Sequence, residues 1–319
     1  METLVTDLFI QTCNWLQIYD LIKMTLVSRS LKTRIREYKW DHIVTISRDA
    51  KYIIHICTDY HFNKFEIRGL DISGYENYLS GAKYLDFRGH YYAYNNYIND
   101  QHLKYFGNCE TLKLWNCNLI TDEGVKYLVN VKNLNLSYCN LITDSSVKLL
   151  TKCNNLTLNG CNNITYKSLK YLGKCKILNL SYCKGITDPN TTSDNALKYL
   201  ENCKELYFIG TNITDKGVRY LGNCYKLDLS YCTLLTDKSI KCLVNCKILD
   251  LQGCDLITDK SLKYLANCER LNISECHLIT DDGVKYLKNC AYLDISSCHK
   301  ISKNMVTQLY RTVGCLRVT

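Results

Sequence analysis

From residue 109 onward, apolar positions return in a fixed arrangement. A typical stretch runs from Cys268 through Leu271, Ile273, Cys276, Ile279, Thr280, Asp281 and Val284 to Leu287. Leu271 and Ile273 alternate with polar neighbours, which predicts a short strand with one buried face. Thr280 and Asp281 supply an N-cap, and Val284 and Leu287, three residues apart, share one face of the helix that should follow. Each unit therefore reads as strand, turn and helix. Such a unit cannot bury its apolar face alone and must stack on its neighbours.

The period is set by cysteine. Cys117, Cys139, Cys161, Cys183, Cys232, Cys254, Cys276 and Cys298 follow the strands at steps of 22, apart from one step of 49 that hides a repeat with Thr211 in the cysteine slot. Eight residues earlier runs a second column, Cys109, Cys153, Cys175, Cys203, Cys224, Cys246, Cys268 and Cys290, with Val131 filling its gap. Weaker units marked by Val44/Ile46, Phe65/Ile67 and Leu85/Phe87 come first, and Leu316/Val318 offers a last edge strand. The expected architecture is an α/β curved solenoid of about twelve strand–turn–helix units. It comprises degenerate repeats over 41–108, clear repeats over 109–301 and a C-terminal cap over 302–319.

Composition narrows the chemistry. The chain has 319 residues, 46% hydrophobic and 22% charged, as a folded protein should. Sixteen of the 20 cysteines fall in the two columns, so they read as small buried thiols and not as a disulfide scaffold. There is no Cys-x-x-Cys pair and no clustered histidine, so no metal is expected. Gly-rich phosphate loops, His-Glu-x-x-His and Gly-x-Ser-x-Gly are all absent from the sequence. The chain is expected not to be an enzyme and to need no cofactor or small-molecule substrate.

The formal net charge of +9 is matched by one helix column: Lys104, Lys126, Lys148, Lys170, Lys198, Arg219, Lys241, Lys263 and Lys285. Without these nine, 31 basic residues (40 less nine) face 31 acidic ones. A solvated helix face explains them, so neither a nucleic-acid nor a membrane partner is expected. The tyrosines that follow, among them Tyr127, Tyr171, Tyr199, Tyr220, Tyr264 and Tyr286, are expected to pack between repeats. The N-terminus carries acids and no basic run, and Leu8–Val27 is too polar to span a bilayer. Cytoplasmic or nuclear residence is expected.

The pattern Leu-x-Leu-x-x-Cys-x-x-Ile-Thr-Asp-x-x-Leu resembles the cysteine-containing leucine-rich repeats of F-box/LRR proteins. Residues 1–40 add to the likeness. Leu4-Val5-Thr-Asp-Leu8, Trp15-Leu16, Asp20-Leu21, Leu26-Val27-Ser28-Arg29-Ser30-Leu31 and Trp40 resemble an F-box. The chain departs from that motif at Val5, where proline is usual, and at Leu31, where tryptophan is common. The resemblance implies an N-terminal helical F-box-like segment that docks on a Skp1-like adaptor of a cullin–RING ubiquitin ligase, while the repeats hold a protein substrate. Leu4, Leu8, Leu16, Leu21, Leu26, Val27 and Leu31 are the implied adaptor contacts. The alternative is a repeat scaffold or inhibitor with no ligase role, in which residues 1–40 only cap the first repeat.

Polar strand positions between buried aliphatics face the inner surface. Arg68, Arg88, Lys113 and Trp115 gather towards the N-terminal half, and Asp228, Asp250 and Asp294 make the other half acidic, with Tyr207 and Ile209 between them. Exposed aromatic and arginine residues on such a surface suit a protein partner. Two repeats carry insertions. One holds Tyr91, Tyr92, Tyr94 and Tyr97, the expected recognition loop, and the other lies around Pro189.

Overall fold

The structure is a computed structural model that describes residues 33, 35, 43–47, 49–60, 62–87, 96–187 and 193–318. The chain divides into two compact units, Met1–Asn135 and Leu136–Thr319. The described part of the first holds strands β1 (Val44–Ile46), β2 (Lys64–Ile67), β3 (Tyr84–Asp86), β4 (Thr111–Lys113) and β5 (Asn133–Asn135). The second holds β6 (Asn155–Thr157), β7 (Ile177–Asn179), β8 (Glu205–Tyr207), β9 (Lys226–Asp228), β10 (Ile248–Asp250), β11 (Arg270–Asn272), β12 (Tyr292–Asp294) and β13 (Cys315–Arg317).

Within each unit the strands lie in chain order and pair in parallel. The register is that of the repeat, with Leu227, Leu249, Leu271, Leu293 and Leu316 side by side. The expected edge strand is thus present as β13. Central leucines are buried while the residues on either side are mostly half-buried, as alternation requires.

The helical half of the unit is shorter than the sequence suggests. The α-helix of the repeat quoted above covers only Asp281–Val284, and Leu287 is buried just beyond it. Two repeats replace the α-turn with 3-10 geometry, over Tyr166–Tyr171 and Ser193–Leu200. Parallel stacking leaves each unit only a turn or so of helix before the chain must return to the sheet.

Two side-chain ladders hold neighbouring repeats together. In the first, the N-cap threonine accepts a hydrogen bond from the backbone two residues on, as Thr258 does from Lys260 at 3.3 Å. The same threonine donates its hydroxyl to one oxygen of the first-turn aspartate of the preceding repeat and its backbone N–H to the other. Thr258 meets Asp237 in this way at 2.6 and 2.8 Å, and Thr280 meets Asp259 at 2.7 and 2.8 Å. Tyr166 stands where the other repeats carry this aspartate, and Thr187, in the following repeat, has a buried hydroxyl with no partner.

In the second ladder, cysteine thiols donate to carbonyls of the preceding repeat: Cys161 to Leu136 at 3.1 Å, Cys183 to Leu158 at 3.0 Å and Cys276 to Leu251 at 3.2 Å. The described cysteines are all free thiols, and both columns are buried. A slot that tolerates only a small apolar side chain with a weak donor explains why cysteine recurs there.

Candidate protein-binding face

The strand face is built from two columns, the residue before and the residue after each central leucine. The column after it contains the expected Lys113, Tyr207, Asp228, Asp250 and Asp294. The column before it contains Tyr84, Glu205, Lys226, Ile248, Arg270 and Tyr292, which sequence reasoning passed over. The signal was available, because residues two apart in a strand share a face.

In the first unit the charges are spoken for locally. Asp86 is fully buried, accepts the Tyr84 hydroxyl at 3.0 Å and pairs with Lys113 at 3.5 Å. The Lys113 ammonium donates to the Tyr84 hydroxyl at 2.9 Å and sits 5.1 Å from that ring. Arg68 is held by Glu66, at 3.0 Å. The expected N-terminal basic cluster is therefore neutralised where it can be seen. Trp115 is half-buried at the end of β4. Arg88 and the tyrosines Tyr91, Tyr92 and Tyr94 lie outside the described residues, as do Leu4, Leu8, Leu16, Leu21, Leu26, Val27 and Leu31.

The second unit gathers a richer site. Strands β8 to β12 line a shallow hollow of about 310 Å³. At one side Lys226 lies 5.0 Å from the Tyr207 ring, whose hydroxyl donates to Glu205 at 3.1 Å. At the other side the Arg270 guanidinium lies 4.6 Å from the Tyr292 ring. Ile248 stands between the two cations, and Asp228 and Asp250 line the row beside it. A cation fixed over a ring keeps its charge while losing freedom, which favours recognition.

The aspartates also have a local duty. Asp228, Asp250 and Asp294 accept the backbone N–H two residues on, each at 3.0 Å, which closes the turn after the strand. Asn179 and Asn272 do the same in their repeats, at 2.9 Å. Ser230 donates to both Asp228 and Asp250, at 2.6 and 2.7 Å, and Asn272 donates to Asp250 at 3.0 Å. Burial pushes the Asp228 carboxyl up, against the Ser230 hydrogen bonds that lower it. Asp294 is buried at the far side, near Arg317 at 3.7 Å.

Beyond the strands the chain turns through left-handed backbone at Asn116, Tyr138, Gly160, Tyr182, Gly210, Tyr231, Gly253, Glu275 and Ser297. Tyrosine and glycine alternate through the middle of this column for a steric reason. A Cβ on Gly160 would lie 2.5 Å from the Tyr138 ring, and one on Gly253 would lie 2.6 Å from the Tyr231 ring. Each ring covers the glycine of the next repeat, so the pattern has a period of two repeats. Tyr182 and Tyr231 remain more than 40% exposed and add aromatic surface beside Ile209 and Gln252, both half-buried.

On the opposite face the tyrosines depart from expectation. They do not simply pack between repeats. Tyr127, Tyr199 and Tyr286 are each over 40% exposed, and the lysine before each lies 5.5, 5.2 and 5.6 Å from its ring.

The comparisons match this geometry. The family model described as Leucine Rich repeat matches residues 130–150, 247–266 and 269–288. Among solved structures, the chain is similar to one in a complex of Rad7 and Elc1 from yeast. The TM-score is 0.59 and the identity 17%, covering 99% of this chain and 86% of that one. It is also similar to the internalin InlF of Listeria monocytogenes, with TM-score 0.56, 14% identity, and 90% and 89% covered. A third likeness is to a chain in the Toll–Spatzle complex of Drosophila, with TM-score 0.52, 13% identity, and 86% and 42% covered. No curated protein matches. No helix among the described residues is long and apolar enough to cross a membrane. Repeat spacing, parallel register and structural neighbours agree that this chain folds as a leucine-rich-repeat solenoid.

Proposed function

We propose that the chain is a substrate-recruiting adaptor of a Skp1–cullin–F-box type ubiquitin ligase, in which residues 1–40 hold a Skp1-like protein and the strand face holds a protein substrate. The hollow between β8 and β12 carries the substrate half of this reading. It offers two ring-seated cations, Lys226 and Arg270, around Ile248, with Tyr207, Asp228 and Asp250 beside them. Aromatic and cationic anchors around an apolar centre are how protein interfaces concentrate their binding energy. Ile209 and Asp294 are assigned to the same partner as contacts beside the hollow, and Arg68, Arg88, Tyr91, Tyr92, Tyr94, Lys113 and Trp115 are assigned to substrate as the first unit's own contacts.

The ligase half rests on the F-box-like run, with Leu4, Leu8, Leu16, Leu21, Leu26, Val27 and Leu31 as adaptor contacts. Likeness to a chain solved in complex with Elc1 supports a repeat protein that works with a second subunit. The chain would do no chemistry itself; it would raise the local concentration of substrate lysines near a loaded enzyme.

Calorimetry with a purified Skp1-like protein tests the ligase half. The full chain should bind it, and Leu26→Asp with Val27→Asp should abolish binding while the thermal melt of the repeats stays. Failure of the unaltered chain to bind would leave a repeat scaffold without a ligase role.

A further inference from the structure

The helix face carries a second cation column that the charge count hid. In repeats spanning residues 165–264, Lys167, Lys216, Lys238 and Lys260 stand three residues before Lys170, Arg219, Lys241 and Lys263, on the same side of the helical turn. Lys198 belongs to the longer column, with Asn195 in the other slot. All nine cations are exposed, and among the described residues none has a carboxylate within ion-pair distance.

The next repeat towards the C-terminus differs. There the same slot is acidic and neutralises its lysine, Asp282 with Lys285 at 2.8 Å. Towards the N-terminus Ser145 fills the slot before exposed Lys148, and in the first unit Glu123 holds Lys126 at 2.6 Å.

Among the described residues, five carboxylates share this face. Asp215, Asp237 and Asp259 are bound through both oxygens to the threonine of the next repeat. Asp194 is bound to Thr214, and Glu201 lies one turn beyond Lys198. At Tyr166 the aspartate is missing altogether. Five of the nine cations lie over rings that carry no charge: Lys170 lies 5.1 Å from Tyr171, Lys198 5.2 Å from Tyr199, Arg219 4.6 Å from Tyr220, and Lys241 and Lys263 5.8 and 5.3 Å from Tyr264. An open hollow of about 360 Å³ lies between two of these repeats, lined by Tyr166, Lys167, Lys170, Lys198 and Tyr199.

We propose that this helix face binds the phosphate backbone of single-stranded nucleic acid. The match is in charge and repetition: cations recur once or twice per repeat along the stack, and a nucleic-acid strand supplies anions at regular intervals. Aromatic rings interleaved with the cations are the usual company of single-stranded nucleic acid, offering bases a surface of no particular sequence preference. The site lies on the opposite face from the strand hollow and is independent of the ligase reading.

The experiment is fluorescence anisotropy of the full chain with a labelled 20-nucleotide oligo-uridine across salt concentrations. With about five phosphates neutralised, affinity should fall roughly 100-fold between 50 and 200 mM salt. Replacing Lys170, Lys198, Lys241 and Lys263 together by Gln should flatten the slope by about 3 log units per log unit of salt. The paired lysines provide the control: Lys126→Gln with Lys285→Gln should move the slope by much less. Thermal melts of all three proteins should coincide, which separates lost contact from lost fold.

No binding at 50 mM salt, or equal binding by the fourfold variant, would overturn the proposal. So would a 20-residue poly-glutamate that displaces the oligonucleotide at equal charge concentration, since the face would then serve an acidic protein segment. Phosphatidylserine vesicles that capture the unaltered chain and not the fourfold variant, without oligonucleotide binding, would assign the face to a membrane surface instead.

Discussion

The strand face and the helix face of the second unit carry similar residue types and treat them in opposite ways. On the strand face, polar groups lie in close networks: Ser230 bridges Asp228 and Asp250, and Lys226 lies 5.0 Å from the Tyr207 ring, whose hydroxyl meets Glu205. On the helix face, nine cations project from five consecutive repeats, and no acid among the described residues lies in ion-pair contact with them. The cause is geometric. Parallel strands set residues of neighbouring repeats side by side, roughly 4.8 Å apart, so unlike groups must settle with each other. Helical turns hold their outer residues farther apart, and the cations that meet a partner meet a tyrosine ring, as Lys170 meets Tyr171 and Lys241 meets Tyr264. A network of the first kind makes a rigid surface suited to one shape of partner. An open field of the second kind suits any partner with enough negative charge.

Both faces hang on the thiol-lined core, so opening that core should erase the difference between them. Burial pushes the Cys109, Cys175, Cys246, Cys268 and Cys276 thiols up to about 12 from an ordinary value of 9.0. Between those values the folded chain keeps protons that the unfolded chain sheds. Stability is therefore full below pH 9 and falls as pH rises through that window, by about 1.4 kcal/mol per thiol per pH unit. Urea melts under reducing conditions should show a steep cooperative loss above about pH 9. A chain that stayed equally stable to pH 11 would show that the thiols are not sealed.

Removing a hub of the strand network should cost less but still a good deal. Asp86→Ala strips the acceptor from Tyr84 and the counter-charge from half-exposed Lys113, and should lower unfolding free energy by about 2 kcal/mol. Denaturant titration reads this directly, and a loss near zero would mean that the network is decorative.

Asp228→Asn should be smaller and of opposite sign. Asparagine keeps the acceptor for the Ser230 N–H, as Asn272 does for Ser274, and removes a charge that burial disfavours. The raised carboxyl makes the parent lose stability as pH rises from the ordinary carboxylate value through the raised one. The variant should match or exceed the parent at neutral pH and lose that component of the pH slope. Destabilisation at pH 7 would show that the carboxylate does more than close the turn.

The smallest effect should come from the helix face. Lys241→Gln and Lys263→Gln should leave the melting temperature unchanged, because neither lysine holds a carboxylate. A clear drop would mean that these cations support the fold.

Much of this was legible in the sequence because the repeat magnifies it. The leucine pairs, both thiol columns, the threonine caps and the edge strand at Leu316 follow from spacing and side-chain size. What escaped was relational. Thr258 reads as a cap, but that it also clasps Asp237 needs the neighbouring repeat in place. Lys226, Ile248, Arg270 and Tyr292 stand just before the leucines, where the alternation was not followed far enough. The lysine column was counted as uniform, although Glu123 and Asp282 stand three residues before Lys126 and Lys285 and pair with them. The left-handed column escaped because six of its members are not glycine, and its tyrosines make sense only against the glycines they cover.

Lysine acylation footprinting of the native chain, read by mass spectrometry, measures the contrast between the faces directly. Lys113 is tied to Tyr84 and Asp86, and the Tyr207 hydroxyl holds the Lys226 ammonium in its charged form, raising its pKa and slowing attack. If the division holds, Lys170, Lys198, Lys241 and Lys263 will react several-fold faster than Lys113 and Lys226, and urea will abolish the gap. Equal rates in the folded protein would contradict it.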